Sequence, residues 1–280
     1  MSVCILNQNE STDDSEQDGR REKPDCARAE GELAVVLVSC DSYKDLWPLS
    51  TGMIGRFWPD CPYPKYLISN QPTSIPGFQS IAVGEDRGWS ANLVAALEQV
   101  REEFVLLHLE DLILEEPVCQ QRVDRLFAWL KSVNGNCLRM NPFPAPDRPF
   151  TSEVGIASKG VLYRASTVMT IWRKTVLCAL LHPEESAWAF EIHGSERSDA
   201  FNGFYAAHTP TFSVVNAVLR GRWQRAAVRR VRRLGAEPDL KARGLLSRRA
   251  ELKWQFLMIR YKILALLPAR WRRTIRQAFC

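Results

Sequence analysis

The segment "FVLLHLEDLIL" (Phe104 to Leu114) has four apolar residues, followed by His108, Glu110 and Asp111, before the chain turns apolar again. A continuous apolar run of this kind is typical of a strand that is buried on both faces of a parallel sheet. Two adjacent carboxylates at the end of such a strand are costly to bury unless a cation or a ligand meets them. The pattern therefore predicts a buried strand with a candidate site at its end.

Strand-like and helix-like segments alternate before this stretch. Strands are predicted in "ELAVVLVSCDSY", "PYPKYLISNQ" and "GFQSIAVG", and helices in "DLWPLSTGMIGRFWP" and "WSANLVAALEQVREE", the second with Ser90 as its N-cap. This alternation predicts an α/β fold with a mostly parallel sheet wound by helices. Such sheets bind ligands at the carboxyl ends of their strands. The residues at those ends here are Asp41, Asn70, Asp86 and the pair Glu110 and Asp111.

Charge is distributed unevenly along the 280 residues. Residues 220–280 contain 18 of the 37 Lys and Arg residues but only 3 of the 32 Asp and Glu residues. The preceding residues contain the other 19 basic and 29 acidic residues. Opposite charge on two parts of one chain predicts two functions. We therefore predict a disordered polar tail at residues 1–30, an α/β domain at 31–219 and a basic helical extension at 220–280.

Several classes of protein are not favoured by the sequence. The chain lacks the basic and apolar regions of a secretory signal, and it has no uncharged apolar run of about 18 residues that would span a membrane. Neither the P-loop nor the dinucleotide-binding glycine fingerprint occurs. The eight cysteines show no metal-ligand spacing, which is typical of a reduced protein. We expect a cytoplasmic protein.

The acidic pair of Glu110 and Asp111 is the first candidate site. Two carboxylates at the end of a strand can hold Mg²⁺ or Mn²⁺, because these hard cations take oxygen ligands and bridge to a substrate diphosphate. The alternative interpretation is that the pair begins an exposed loop and caps the next turn.

Glu191, in the segment "AWAFEIHGSERS", is the second candidate. A carboxylate between Trp188 and Phe190 is expected to have a raised pKa and to serve as a general base. The alternative is a surface loop that is anchored by its aromatic side chains, with Glu191 paired to an arginine.

The basic extension is the third candidate. Residues 247–279 mix aromatic and aliphatic side chains with Arg and Lys, as helices that bind an anionic membrane surface do. Nucleic-acid binding and ordinary packing of a helix on the domain are the alternative interpretations.

Four segments together resemble one family: "LVSCDSYKDLWPLSTGMIGRFWPDCPYPKYLISNQ", "GWSANLVAALEQVREEFVLLHLEDLIL", "GVLYRASTVMTIWRKTVLCALLHPEESAWAFEIHGSERSD" and "VVNAVLRGRWQRAAVRRVRRLG". Over roughly residues 34–235 the chain is similar to bacterial GT-A glycosyltransferases of polysaccharide and lipopolysaccharide biosynthesis. The resemblance implies a nucleotide-sugar donor, a divalent metal (Mn²⁺ or Mg²⁺) and a saccharide or lipid-linked acceptor. It also implies a peripheral position on the inner face of the cell membrane, where the basic extension would meet anionic lipid, and nucleic acid is not an expected partner.

The resemblance also implies roles for individual residues. Glu110 and Asp111 take the place of the family's D-x-D motif as metal ligands, but the second Asp two positions along is absent, so Asp111 is the main expected ligand. Asp111 and Glu191 are the expected catalytic residues, with Glu191 as the base that activates the acceptor. The nucleotide pocket is expected to be lined by Ser39, Asp41, Asn70, Asp86, Trp89 and Ser90.

The predicted function is transfer of a sugar from a nucleotide-sugar donor to a saccharide or lipid-linked acceptor. A nucleotidyltransferase of similar fold is one alternative, although it should show a Gly- and Lys/Arg-rich phosphate loop near the first strand, which "VSCDSYKD" is not. A non-catalytic protein that binds sugar nucleotide or nucleic acid is another. Fold analogy alone excludes neither.

Overall fold

A nine-stranded sheet is the centre of the fold in the computed structural model, which describes residues 31–254 and residue 256. The strands are β1 (Gly31–Val38), β2 (Lys65–Ser69), β3 (Gln79–Ala82), β4 (Glu102–Leu109), β5 (Leu112–Leu114), β6 (Cys137–Arg139), β7 (Arg148–Pro149), β8 (Val154–Ile156), β9 (Thr170–Arg173), β10 (Phe204–Ala207), β11 (Val214–Asn216), β12 (Val218–Leu219) and β13 (Arg222–Trp223).

The order of strands across the main sheet is β3-β2-β1-β4-β9-β6-β10-β8-β7, while β5 pairs with β11 and β12 pairs with β13. All strands of the main sheet except β8 and β9 run in the same direction. The predicted α/β fold with a mostly parallel sheet is therefore confirmed.

Helices cover both faces of the sheet. They are α1 (Trp47–Phe57), α2 (Trp89–Leu97), α3 (Gln120–Ser132), α4 (Lys174–Leu180), α5 (Ala187–Ala189), α6 (Ser195–Arg197), α7 (Arg225–Arg233) and α8 (Leu240–Arg243), with a π-helical turn at Phe190–Gly194 and 3-10 turns at Asp41–Leu46 and Ser198–Ala200. One apolar cluster joins the sheet to α1, α3 and α7, and a second joins the opposite face to α2 and α4.

Strand β4 contributes to both clusters, as its sequence predicts. Phe104 and Leu106 face the first cluster, while Val105 and Leu107 face the second, and all four side chains are buried. Because successive side chains of a strand point to opposite faces, an unbroken apolar run is what a central strand requires. The strand then turns through Glu110 and Asp111 directly into β5, which leaves the main sheet to pair with β11.

The start of α2 differs from the sequence prediction. The N-cap is Gly88, which has a φ of 93°, and the helix begins at Trp89, so Ser90 lies inside the first turn. A φ in this range is open to glycine at little cost and is rare for residues with a Cβ atom. The prediction that Ser90 caps the helix is therefore wrong, because the chain enters the helix through a conformation that favours glycine.

The described part of the basic extension packs on the domain. Trp223, Val228 and Val231 are buried in the same apolar cluster as α1 and α3. Arg243 in α8 forms a two-pronged ion pair with Asp45, with both nitrogen–oxygen distances at 2.7 Å. No helix in the described ranges is long and apolar enough to cross a bilayer. The predicted disordered tail and residues 255 and 257–280 lie outside the described residues.

Candidate functional site

Asp111 and Glu191 meet at one cavity at the carboxyl edge of the sheet. The cavity has a volume of about 440 Å³, and we refer to it as the inner cavity. Its two carboxylates come from residues 80 positions apart, one from the turn after β4 and one from the π-helical turn. The other lining residues are Tyr43, Leu109, Leu112, Thr167, Val168, Ala187, Trp188, Asn216, Val218, Leu219, Arg220 and Trp254.

The acidic pair is held in a position that disfavours its negative charge. Burial raises the pKa of Glu110 well above its ordinary value, and the neighbouring Asp111 raises it further. Burial also raises the pKa of Asp111, to about 7, while the Arg243 guanidinium acts in the opposite direction. That guanidinium is already paired with Asp45. A cation that approached the pair would favour the ionised form of both carboxyls, which burial disfavours.

His108 fixes the conformation of this turn. Its Nε2 lies 2.6 Å from the carbonyl oxygen of Leu112. The imidazole therefore connects β4 to β5 across the turn that contains the acidic pair. Burial lowers the pKa of His108 to about 4, so the ring is neutral at pH 7. A carbonyl can only accept a hydrogen bond, which places the ring proton on Nε2. The histidine is thus a buried, hydrogen-bonded residue that positions Glu110 and Asp111.

The donor set of the acidic pair fits one class of metal. Within the described ranges no group of three or more His, Cys, Asp or Glu side chains could enclose an ion. Mg²⁺ and similar hard cations, however, are commonly bound by one or two carboxylates and complete their coordination with water and substrate phosphates. Asp111 lines the inner cavity, whereas the neighbouring Glu110 is buried and does not line it. The two residues fit a divalent cation that arrives with a phosphorylated ligand.

Glu191 is supported by hydrogen bonds rather than by an ion pair. Its Oε1 accepts from the backbone N–H of Thr167 at 2.8 Å, from the Thr167 hydroxyl at 3.0 Å and from the Ser166 hydroxyl at 3.2 Å. Burial raises the pKa of Glu191, and these hydrogen bonds partly oppose the rise. In the part of the chain that the structure describes, no arginine forms an ion pair with it, so the alternative of an arginine-paired surface loop is wrong.

The segment that presents Thr167 to Glu191 is bounded by two unusual backbone positions. Tyr163 has a φ of 57° and Met169 has a φ of 43°. Positive φ in a residue other than glycine is uncommon and persists where the surrounding structure holds it, often at functional sites. Glu191 itself lies in a π-helical turn, another feature that concentrates at such sites. The support of this carboxylate is therefore rigid on both sides.

The residues predicted to bind nucleotide lie on consecutive loops at the same edge. Asp41 accepts a hydrogen bond from the backbone N–H of Asn70 at 2.7 Å, and its own N–H donates to Asn70 Oδ1 at 2.9 Å. Asp86 accepts from the Asn92 amide at 2.7 Å, and Ser39 accepts from the Trp47 indole at 2.7 Å. The loops after β1 and β2 are thus tied together. The nucleotide-binding roles of Ser39, Asp41, Asn70 and Asp86 remain predictions.

Trp89 and Ser90 are placed differently from the other predicted pocket residues. Trp89 packs on Phe190, with ring centroids 5.6 Å apart, directly beside the turn that contains Glu191. Its Nε1 and the hydroxyl of Ser90 are buried without a hydrogen-bond partner among the described residues. Like the other four residues predicted to bind nucleotide, neither lines the inner cavity. Trp89 contacts the turn that contains Glu191, and a role of either residue in nucleotide binding remains a prediction.

A second cavity of about 690 Å³, which we call the outer cavity, adjoins the first. The two share Glu191 and the indoles of Trp188 and Trp254. These indoles meet edge to face, with centroids 5.8 Å apart, and Trp188 is 56% exposed. Exposed indoles beside a carboxylate are typical of a binding surface that is apolar with a few polar groups. Glu191 therefore lies between two cavities, each of which could hold one substrate of a two-substrate reaction.

Arg220 and Trp254 are site residues that the sequence prediction missed. Both were counted as part of the basic extension, but both line the inner cavity. The local signal near Arg220 was Gly221, since glycine commonly marks a turn, but it did not identify Arg220 as a site residue. No local signal identified Trp254, whose neighbours in the fold are distant in sequence.

No protein-family model matches the chain, and no curated protein sequence matches it. Solved structures match it in part. TarS from S. aureus, also solved with UDP and with UDP-GlcNAc, is 14% identical with a TM-score of 0.42, over 63% of this chain and 60% of that one. The mannosyltransferase PcManGT from Pyrobaculum calidifontis, solved with GDP-Man and Mn²⁺, is 14% identical with a TM-score of 0.46, over 72% and 62%.

The bifunctional IspDF from Campylobacter jejuni is 14% identical with a TM-score of 0.33, over 56% of this chain and 44% of that one. This chain spans less than two thirds of each of these three structures. They include a mannosyltransferase with a nucleotide sugar and a divalent metal bound. At these TM-scores the matches assign no activity to this chain.

The raised pKa of Glu191 predicts a pH dependence of stability. The folded protein holds this proton at pH values where the unfolded chain has released it, so the contribution to stability is present at low pH and is lost as pH rises through the raised pKa. Glu191→Gln keeps an acceptor oxygen for Thr167 and removes the titration. From about pH 4 to about pH 8, the free energy of unfolding in urea should decrease less for Glu191→Gln than for the wild type. The two decreases should differ by on the order of 1 kcal/mol.

The matched control is Glu184→Gln, which neutralises an exposed glutamate in the preceding loop. It should retain the wild-type dependence on pH. Equal slopes for the wild type and Glu191→Gln would show that the carboxylate is not held against ionisation.

Proposed function

We propose that the protein is a glycosyltransferase that moves a sugar from a nucleotide-sugar donor to a saccharide or lipid-linked acceptor in surface polysaccharide biosynthesis. The observation that carries this proposal is the presence of Asp111 and Glu191 on one cavity at the carboxyl edge of the sheet. One carboxylate is suited to a metal-bound or cationic ligand and the other to a proton. Transfer of a sugar from a diphosphate to a hydroxyl with inversion uses both groups.

The donor side of the reaction is assigned to the acidic pair. Glu110 and Asp111 would hold a divalent cation, Mn²⁺ or Mg²⁺, together with the diphosphate of the donor. The chemistry that such an ion supplies when bound is neutralisation of the charge on the departing diphosphate. The raised pKa values of both carboxyls agree with this role, because a cation would favour the charged form that burial disfavours.

The acceptor side is assigned to Glu191. As the anomeric carbon passes through an oxocarbenium-like state, the carboxylate would take the proton of the attacking hydroxyl, which is the course of an inverting transfer. Its hydrogen bonds from Ser166 and Thr167 hold Oε1 in place. The outer cavity, with Trp188 and Trp254 at the shared wall, would then hold the acceptor.

A nucleotidyltransferase and a non-catalytic binding protein are the alternatives. A nucleotidyltransferase would release inorganic pyrophosphate, whereas a glycosyltransferase releases the nucleoside diphosphate. A binding protein would release neither. A thermal-shift screen of nucleotide sugars with and without Mn²⁺, followed by identification of the released phosphate, separates the three, since a bound ligand raises Tm by mass action.

Asp111→Asn should reduce turnover by at least about 100-fold with the donor found in that screen, because it removes the charge that faces the inner cavity. Release of nucleoside diphosphate at saturating Mn²⁺ is the measurement. Tm should equal or exceed that of the wild type, since a partly buried charge is removed. Asp60→Asn, at an exposed position, is the control. Wild-type turnover in Asp111→Asn would exclude this residue from the site.

Glu191→Gln should lower turnover by about 100-fold or more while the affinity for the donor stays close to that of the wild type. The reason is that the amide keeps the hydrogen bonds and cannot accept the proton. Turnover and donor dissociation constants are measured side by side, with Glu184→Gln as the control. Collapse of donor affinity in Glu191→Gln would place the residue in the donor pocket and contradict its role as base.

Helix α7 is proposed as a contact with an anionic membrane surface. Ala227, Val228 and Val231 bury one face of this helix, while Arg229 and Arg233 are exposed on the other. Arg230 lines the outer cavity, so the basic face adjoins the proposed acceptor site. A lipid-linked acceptor at the inner face of the cell membrane would reach the enzyme from this side.

The full chain should co-sediment with vesicles that contain anionic phospholipid at low salt, and binding should weaken as salt rises. Truncation near Gly235 is unsuitable because it removes Arg243 and Trp254, which pack at the site. Reversal of Arg229 and Arg233 to Glu should reduce binding several-fold. Reversal of the exposed Arg148 and Lys159 is the matched control. Equal loss in both double variants would contradict a specific role for α7.

A further inference from the structure

A third cavity, of about 580 Å³, meets the inner cavity at Arg220. Arg220 lines both, and it is the residue that they share. The remaining lining residues of this third cavity, which we call the basic cavity, are Asp41, Ser42, Lys44, Asp45, Gly221, Arg222, Ala242 and Arg243. Asp41 is one of the residues predicted to bind the nucleotide. The basic cavity therefore extends from Asp41 to Arg220, which is also part of the wall of the inner cavity.

Some charged side chains of the basic cavity have an ion-pair or hydrogen-bond partner among the described residues and others do not. Arg243 is paired with Asp45, and Asp41 is occupied by the backbone N–H of Asn70. Within the described ranges, neither an ion pair nor a side-chain hydrogen bond involves Lys44, Arg220 or Arg222, and all three are exposed. A cavity wall with three unpaired cations favours an anion that carries more than one charge.

The hairpin that carries two of these cations is firmly held. Arg220 and Gly221 have φ values of 51° and 73° and form a two-residue turn between β12 and β13. Positive φ at both positions is the backbone that a tight hairpin turn requires. Behind the turn, Trp223 is buried and donates from its indole to the Asp239 carbonyl at 3.1 Å.

A backbone hydrogen bond also connects this hairpin to the acidic turn. The N–H of Ala217, directly before β12, donates to the carbonyl oxygen of Asp111 at 2.7 Å. The position of Arg220 is thereby linked to that of Asp111 through main chain rather than through flexible side chains. An anion at Arg220 would consequently lie next to whatever ligand occupies the inner cavity.

We propose that Lys44, Arg220 and Arg222 form the diphosphate-binding site for the nucleoside diphosphate part of the donor. The inference rests on the proposed function, which it deepens by naming the residues that hold the phosphates. A guanidinium offers paired N–H donors that match phosphate oxygens, and charge-assisted hydrogen bonds of this type are strong. Arg220 sits where the inner and basic cavities join, which is where a diphosphate would connect a sugar on one side to a nucleoside on the other.

This assignment has a consequence for metal dependence. Cations of the protein itself neutralise part of the diphosphate charge, so nucleoside diphosphate binds the full chain in the presence of EDTA. Affinity falls as salt rises, because the recognition is electrostatic. These three residues do not increase the affinity for a nucleoside, because it has no phosphate.

Calorimetric titration in EDTA tests the proposal, with UDP, GDP, uridine, guanosine and inorganic pyrophosphate as the probes. In Arg220→Ala the affinity for the better-binding diphosphate should fall at least tenfold, and Arg220→Lys should recover part of the loss. Affinity for the corresponding nucleoside should stay unchanged. Arg148→Ala, which removes an exposed arginine of β7 that lines none of the three cavities, is the matched control. A Tm equal to that of the wild type verifies that each variant is folded.

Equal affinity for diphosphate in Arg220→Ala and Arg148→Ala overturns the proposal, as does equal affinity of the wild type for nucleoside and nucleoside diphosphate. If pyrophosphate binds in a manner that depends on Arg220 and neither UDP nor GDP binds, the three residues form an anion site, and its assignment to a nucleotide is overturned. The proposed function is tested separately: binding that depends on Arg220 without any sugar transfer would contradict the transferase and leave the phosphate site in place.

Discussion

The constraint on which the site depends is the burial of two adjacent carboxylates at the end of the central strand. Glu110 and Asp111 follow a buried run that is apolar except for His108, and burial raises the pKa of both. The nearby Arg243 is committed to Asp45, so it offsets only part of the cost. A site of this kind is stabilised by any cation that enters it, because the cation restores the charged form that burial disfavours. The packing of β4 between two apolar clusters offsets the free-energy cost of burying the two carboxylates.

Rigid supports hold the carboxylates on both sides of the inner cavity. His108 spans the acidic turn from one strand to the next. On the opposite wall, Glu191 receives hydrogen bonds from a segment bounded by two residues with positive φ. Groups held by neighbours lose little freedom when a ligand binds, which favours precise binding and proton transfer. The two carboxylates are thus preorganised by different parts of the chain.

The basic C-terminal region contributes to two different environments. Arg220, Arg243 and Trp254 lie at the cavities, whereas Arg229 and Arg233 in α7 are exposed. Counting charge along the sequence groups these residues together. Their separation in the fold agrees with the two proposals above, in which Arg220 binds a small anionic ligand and Arg229 and Arg233 face a larger anionic surface.

The α/β class, the central strand and the acidic pair at its end follow from the amino-acid sequence alone. These features depend on local patterns, namely apolar runs, their period and the charges that follow them. The sequence also indicated Glu191, but as part of a polar segment rather than of a π-helical turn. The fold was needed to show that Asp111 lines the cavity whereas Glu110 does not, and that Gly88 rather than Ser90 caps α2. Only the fold, likewise, brought Asp111, Glu191, Arg220 and Trp254 to one cavity. Such contacts join residues far apart in the chain, so they depend on the order of strands in the sheet and on how the C-terminal segments pack against it, neither of which a local pattern encodes.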